Sequence, residues 1–169
     1  FSDYLSEEVS KFELWWTFGW TYESSVAMAR IVFSGIFDKL PGIKIITHHF
    51  GGMIPFFAEK IGIGFQQIFA GDSDHNPLAA QAGLKKQPKD YFKMFYADTA
   101  TNGSAAAAAC GLEFFGPDHS LFATDAPFDP EGGSMLIRET INAVDSLNID
   151  AATRAKIYSG NLERLLKLS

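Results

Sequence analysis

With 169 residues, 47% hydrophobic and 14% aromatic, the chain carries enough apolar material for one domain with a sizeable core, which excludes a disordered segment. Its net charge of -6, from 14 basic and 20 acidic side chains with no basic cluster beyond Lys85-Lys86, argues against nucleic-acid binding. No apolar run reaches the roughly 18 residues of a membrane span, and nothing at the start resembles a signal peptide. Cys110, the single cysteine, excludes an intrachain disulfide and reads as a small buried helix residue, so a soluble cytoplasmic protein without membrane contact is expected.

The chain opens at Phe1 and enters a polar stretch, Ser2-Asp3-Tyr4-Leu5-Ser6-Glu7-Glu8, which reads as the middle of something longer. Residues 1 to 21 are aromatic and irregular. Phe12, Trp15, Trp16, Phe18 and Trp20 gather around Gly19, as a loop over a pocket or as an interface. From Tyr22 a helix is predicted, with Val26, Ala29, Phe33, Ile36 and Leu40 on one face and Pro41-Gly42 at its end.

A β-rich run, residues 43 to 48, closes in His48-His49-Phe50-Gly51-Gly52, and a helix from about 53 to 68 follows with Pro55 in its first turn. Residues 70 to 90 form a long polar connection, a candidate lid or partner contact, with a short helical turn from Leu78 to Ala82. The next predicted strand, Phe92 to Ala97, closes in Asp98-Thr99. An alanine-rich helix from Ser104 to Cys110 stops at Gly111. After Gly116-Pro117-Asp118-His119, a strand over 120 to 124 ends in Asp125, followed by a proline turn at Pro127.

A helix over Gly133 to Leu147 carries Ile137, Ile141 and Val144 on one side. Asp150 caps a helix running to Tyr158, and Asn161 caps a terminal helix holding Leu162, Leu165 and Leu166. Strands alternating with helices predict an α/β fold of parallel strands in right-handed βα units. Buried parallel strands hand their catalytic groups to the mouth at their C-terminal ends. Three such ends here carry imidazole or carboxylate, the groups that zinc and similar divalent cations take from proteins.

Four patches, in this order and spacing along nearly the whole chain, resemble the C-terminal half of the amidohydrolase superfamily. The similarity is to the branch of aminocarboxymuconate-semialdehyde decarboxylase and related aromatic-acid decarboxylases. The patches are Gly19-Trp20 with Glu23 and Ser34-Gly35-Ile36-Phe37 before Leu40-Pro41; Lys44 to Pro55 with His49-Phe50-Gly51-Gly52; Phe95-Tyr96-Ala97-Asp98; and Ala123-Thr124-Asp125-Ala126-Pro127-Phe128 with a distal Gly160-Asn161. The resemblance implies the C-terminal part of a (β/α)8 TIM-type barrel, about three parallel strands with flanking helices, with a divalent metal, zinc or manganese, at its C-terminal face. It assigns Asp125 as metal ligand and His49 as the residue acting near the metal on water or substrate. Asp98 is a partner of these residues or a strand-end cap.

Side-chain alternation along a strand aims His48 and His49 at opposite faces, so one of them is expected at the site and His48 is read as structural. His75 and His119 read as solvent-facing loop residues, and Phe50 and Phe128 as candidate lining of a substrate pocket. The family's His-x-His pair and its fifth-strand histidine are absent from these residues, and a complete barrel needs about 250 residues. Two open sheet edges would also be left exposed. Association is therefore expected, as a homo-oligomer or with the missing barrel half.

The implied reaction is non-oxidative decarboxylation of an aromatic or unsaturated carboxylic acid, a small-molecule substrate. Metal-dependent hydrolysis of an amide or lactone is an alternative. A non-catalytic truncated chain that folds by association is another.

Overall fold

The computed structural model describes residues 3–70 and 83–168, with residues 65–70 described by their backbone only. Three short parallel strands form one sheet in the order β1 (Ile46–Thr47), β2 (Tyr96–Asp98), β3 (Ser120–Leu121). Ile46 pairs with Tyr96 and Thr47 with Ala97, then Ala97 with Ser120 and Asp98 with Leu121. Each strand is reached through helices, as parallel neighbours require. No helix among the described residues is long and apolar enough to cross a membrane.

The aromatic start is irregular over residues 3–13, as expected, and becomes helical just before Trp15. A π-helical turn, Trp15–Gly19, runs directly into α1 (Trp20–Phe33), which faces the core with Ser25, Met28 and Val32. The expected face of Val26, Ala29 and Phe33 is thus rotated by about one residue. The helix does not reach Leu40 unbroken, because Gly35 adopts φ +68° and separates α1 from α2 (Ile36–Lys39). Pro55 likewise lies before its helix: residues 52–57 turn, and α3 (Ala58–Ala70) follows.

Phe92 belongs to α4 (Pro88–Phe92), whose first turn accommodates Pro88, and not to the strand. The alanine-rich helix α5 (Ala105–Phe115) begins where the Ser104 hydroxyl accepts the Ala107 amide, and it passes through Gly111 to stop at Gly116. A methyl group on Gly111 would lie 2.2 Å from Phe50 Cγ, so this glycine is required by packing and not by termination. The helical turn expected at Leu78–Ala82, and His75, lie outside the described residues.

In α6 (Ser134–Ser146) the buried residues are Leu136, Thr140, Ala143 and Val144, while Ile137 and Ile141 face outward. Asp150 does cap α7 (Ala151–Ala155), its carboxylate accepting the Thr153 amide at 2.7 Å. A π-helical turn, Lys156–Gly160, continues into α8 (Asn161–Leu166). Asn161 is no cap: it is wholly buried, and its side-chain amide donates to Pro117 O at 2.7 Å and Ser120 O at 2.8 Å.

The main core cluster gathers buried side chains of α1 to α5 with Phe95 and Ala97 at β2, and is rich in aromatic rings. Phe37 meets Phe95 edge-on at 5.1 Å, Phe50 stacks on Phe115 at 6.4 Å, and Phe114 meets Phe115 edge-on at 4.9 Å. Strand β1 lies at one edge of the sheet with Ile46 half exposed, and β3 lies at the other, where Phe122 N donates to Ile157 O.

Candidate metal and acid-base site

All three strands deliver polar groups at their C-terminal ends. Beyond β2, Asp98 is buried although it is a carboxylate, and its satisfied oxygens explain why. Oδ1 accepts the amides of His49 at 2.9 Å and Ala100 at 3.1 Å, and Oδ2 meets His48 Nδ1 at 2.5 Å. It therefore acts both as a cap on the loop and as a partner of the histidine.

Beyond β1 the backbone leaves the extended conformation. His49 has φ +51° and Phe50 φ +46°, and the short turn His49–Gly51 folds the chain back on itself. Alternation of side chains ends with the strand, so both imidazoles reach the site, their rings 3.8 Å apart, where only one was expected. His49 Nδ1 lies 2.5 Å from Ala100 O. A carbonyl only accepts, so His49 holds its proton on Nδ1 and presents Nε2 to the cavity.

Beyond β3, Thr99 spans to the exit segment: its hydroxyl donates to Ala123 O at 3.0 Å and accepts Ala123 N at 3.1 Å. Asp125, at φ +64°, then turns its carboxylate toward the histidines. Its Oδ1 is 3.2 Å from His48 Nε2, and its Oδ2 is 3.9 Å from His49 Nε2. The structure thus brings together both expected site residues, His49 and Asp125, places Asp98 beside them as partner and cap at once, and adds His48.

His48 is pushed up to about 8, first by its hydrogen bond to the Asp98 carboxylate, against the opposing effect of partial burial, with Asp125 adding to the rise. His119 is not a solvent-facing loop residue. Its Nδ1 lies 3.0 Å from Phe95 O and its ring stacks on Tyr96 at 4.5 Å, at the opposite ends of the strands from the site.

A cavity of about 320 Å3 opens above this cluster, lined by Trp16, Trp20, His49, Thr101, Asp125 and Phe128 among others. A second, of about 410 Å3, shares His49, Gly52, Thr101 and Ala107 and adds Phe50, Phe56 and Cys110. The residues fit a divalent ion. One donor atom each from His48, His49 and Asp125 lies within 4.8 Å of the others, and two imidazoles with a carboxylate are a donor set that such ions accept. Of these, His48 was missed from the sequence, although the doublet of adjacent histidines was itself visible.

Parallel strands that end in convergent imidazole and carboxylate groups define part of an α/β barrel with its polar groups at one mouth, and the family comparison agrees. The Amidohydrolase family model matches residues 10–168, and the chain belongs to that family. It is 31% identical over 163 residues to a gamma-resorcylate decarboxylase of Polaromonas sp., covering 91% of this chain and 43% of that protein. It is 24% identical over 162 residues to a 2-amino-3-carboxymuconate-6-semialdehyde decarboxylase of Dictyostelium discoideum, covering 96% of this chain and 42% of that protein. A crystal structure of a dihydroxybenzoic acid decarboxylase from Polaromonas sp., with bound manganese and the inhibitor 2-nitroresorcinol, superposes with a TM-score of 0.71 at 30% identity. The superposition covers 90% of this chain and 42% of that one. The chain therefore spans less than half the length of the relatives it matches, and its sheet is the corresponding part of their TIM-type barrel.

Proposed function

We propose that this chain supplies the acid-base half of a metal-dependent decarboxylase site acting on a small aromatic carboxylic acid, once the rest of a barrel is in place. The observation that carries the reading is the convergence of His49 Nε2 and the Asp125 carboxylate on the wall of a cavity also lined by Trp16, Trp20 and Phe128. That combination offers flat apolar surfaces for a ring beside groups that hold charge and move protons. The names of the relatives favour decarboxylation over hydrolysis of an amide or lactone.

Asp125 is a ligand this chain contributes for a divalent ion, zinc or the manganese seen in the related crystal structure. When bound, such an ion supplies Lewis acidity beside the substrate's oxygen atoms. His49 carries the proton. With Nδ1–H donated to Ala100 O, Nε2 is the nitrogen open to a second proton, and it is from this doubly protonated ring that Nε2 delivers a proton to the ring carbon bearing the carboxylate, returning His49 to its Nδ1–H form. The bond to the carboxylate carbon then breaks, its electrons return to the ring, and carbon dioxide departs. Asp98 holds the loop carrying both histidines, and Thr99 holds the segment leading to Asp125.

The chain acts as a single unit. The open β1 edge fits association with the remaining barrel strands or with a second copy, and the single cysteine fits a cytoplasmic setting.

The test supplies the upstream segment of the Polaromonas relative in trans and follows release of carbon dioxide from gamma-resorcylate with manganese or zinc present. Turnover is expected, and His49→Gln should lower it by about 10²–10⁴-fold. No turnover after association with that segment, or full activity in His49→Gln, overturns the reading. Hydrolysis of a lactone in place of decarboxylation would favour the alternative.

A further inference from the structure

His48 has no part in the reaction just described, yet its ring nitrogens are committed at both ends. Nδ1 meets Asp98 Oδ2, and Asp98 is itself immobilised because its other oxygen accepts two backbone amides. Nε2 points at Asp125 Oδ1 across 3.2 Å. Two atoms bound to one ion at about 2.0–2.2 Å each stand roughly 3.0–3.4 Å apart at ordinary coordination angles. The His48–Asp125 pair has that spacing, whereas the His49 Nε2 to Asp125 Oδ2 separation of 3.9 Å is wider.

We propose that His48 is a ligand for the divalent ion, paired with Asp125 Oδ1 and oriented by Asp98, so that this chain alone offers two adjacent ligands and keeps His49 free to move a proton. The inference rests on the proposed reading of Asp125 as a ligand. A carboxylate on the far nitrogen of a ligating imidazole is the usual arrangement around metal-bound histidine: it fixes the tautomer, aims the ring and makes the free nitrogen more basic. Asp98 stands in that place here. Access is available as well, because the His48 side chain is 45% exposed. A plain ion pair between His48 and Asp125 is the competing account of the same 3.2 Å contact.

Cobalt(II) titration of the 169-residue chain, read by its visible absorption, separates the two accounts. Saturable binding of one ion per chain is expected. His48→Gln and Asp98→Asn should each weaken it by about 10–100-fold, with far-UV circular dichroism matched to the parent. No saturable binding by the parent chain, or parental affinity in His48→Gln, overturns the inference. If Asp125→Asn loses cobalt while His48→Gln does not, only this inference fails and the proposed function stands. If Asp125→Asn binds like the parent, both fall.

A second measurement avoids substitutions altogether. Diethyl pyrocarbonate modification of the parent chain, mapped by mass spectrometry, should be slowed at His48 by cobalt at least about as strongly as cobalt is bound, with His119 unaffected. An unchanged rate at His48 under saturating cobalt equally overturns the inference.

Discussion

Thr99 and Ala123 are bonded in both directions, the hydroxyl of Thr99 donating to the carbonyl of Ala123 and accepting from its amide. The pair ties the end of β2 to the segment that leaves β3, two residues before Asp125. Thr99 is only 1% exposed, so water cannot replace either bond. Thr99→Val keeps the shape and removes both, leaving the Ala123 amide and carbonyl without these partners. It should cost about 1–3 kcal/mol in denaturant unfolding. Because the tie also aims Asp125, divalent-ion affinity should fall with it. A Thr99→Val chain of unchanged stability and unchanged affinity would refute the tie.

Gly111 and Phe50 set two known effects against each other. Alanine is favoured over glycine within a helix by about 1 kcal/mol, yet a Cβ on Gly111 would stand 2.2 Å from Phe50 Cγ, and Phe50 is itself 2% exposed. Overpacking of a filled core costs about 1–3 kcal/mol, and here the obstacle is a buried ring that stacks on Phe115. Gly111→Ala is therefore expected to lower the unfolding midpoint at constant m-value. A stabilised Gly111→Ala chain would mean that propensity wins and that Phe50 gives way.

These two positions also show what could be read from the sequence. The parallel strands and the helices between them were legible because apolar runs ending in His, Asp and Gly have one simple physical reading. Helix boundaries were less so: Gly111 looked like a stop, but its role is set by Phe50, sixty-one residues away in sequence, and Gly116 at φ +78° ends the helix instead. His48 was assigned away from the site by a rule that holds only for extended backbone, and the left-handed turn at His49 and Phe50 cancels that rule. The role of Thr99 has no local sequence signal, because its partner, Ala123, belongs to another strand's exit. Local pattern locates the ends of strands; long-range packing decides what those ends do.

His48 gives the metal-free chain a pH signature. Its folded-state pKa is raised to about 8, so the imidazolium is favoured by folding and its contribution is fully present below the unfolded value of about 6.5. That contribution is lost as the pH rises from about 6.5 through about 8. Denaturation midpoints of metal-free protein should fall across this window, and an imidazole titration followed by NMR should report a midpoint near 8 for His48. Asp98→Asn removes the leading cause and should move the midpoint back toward the ordinary histidine value. A His48 that titrates near 6.5 in the parent chain would contradict the Asp98 contact.

Asn161 behaves as a crossbar between the loop before β3 and the last helix. Its amide nitrogen donates to Pro117 O and Ser120 O, and its oxygen accepts from Arg164 Nη2 at 3.1 Å. Asn161→Leu is close in size but supplies no donor, and it leaves two carbonyls facing an apolar side chain at a position of 0% exposure. Each unsatisfied buried group costs about 1–3 kcal/mol, so a loss at the upper end of the single-substitution range is expected. A residue that merely capped an exposed helix end would cost about 1 kcal/mol when replaced, and chemical denaturation distinguishes the two. Asn161→Asp preserves size and the acceptor but loses the donor, and it should be destabilised comparably to Asn161→Leu. Near-parental stability for Asn161→Asp would show that the bond from Arg164, and not the pair to Pro117 and Ser120, holds α8 in place.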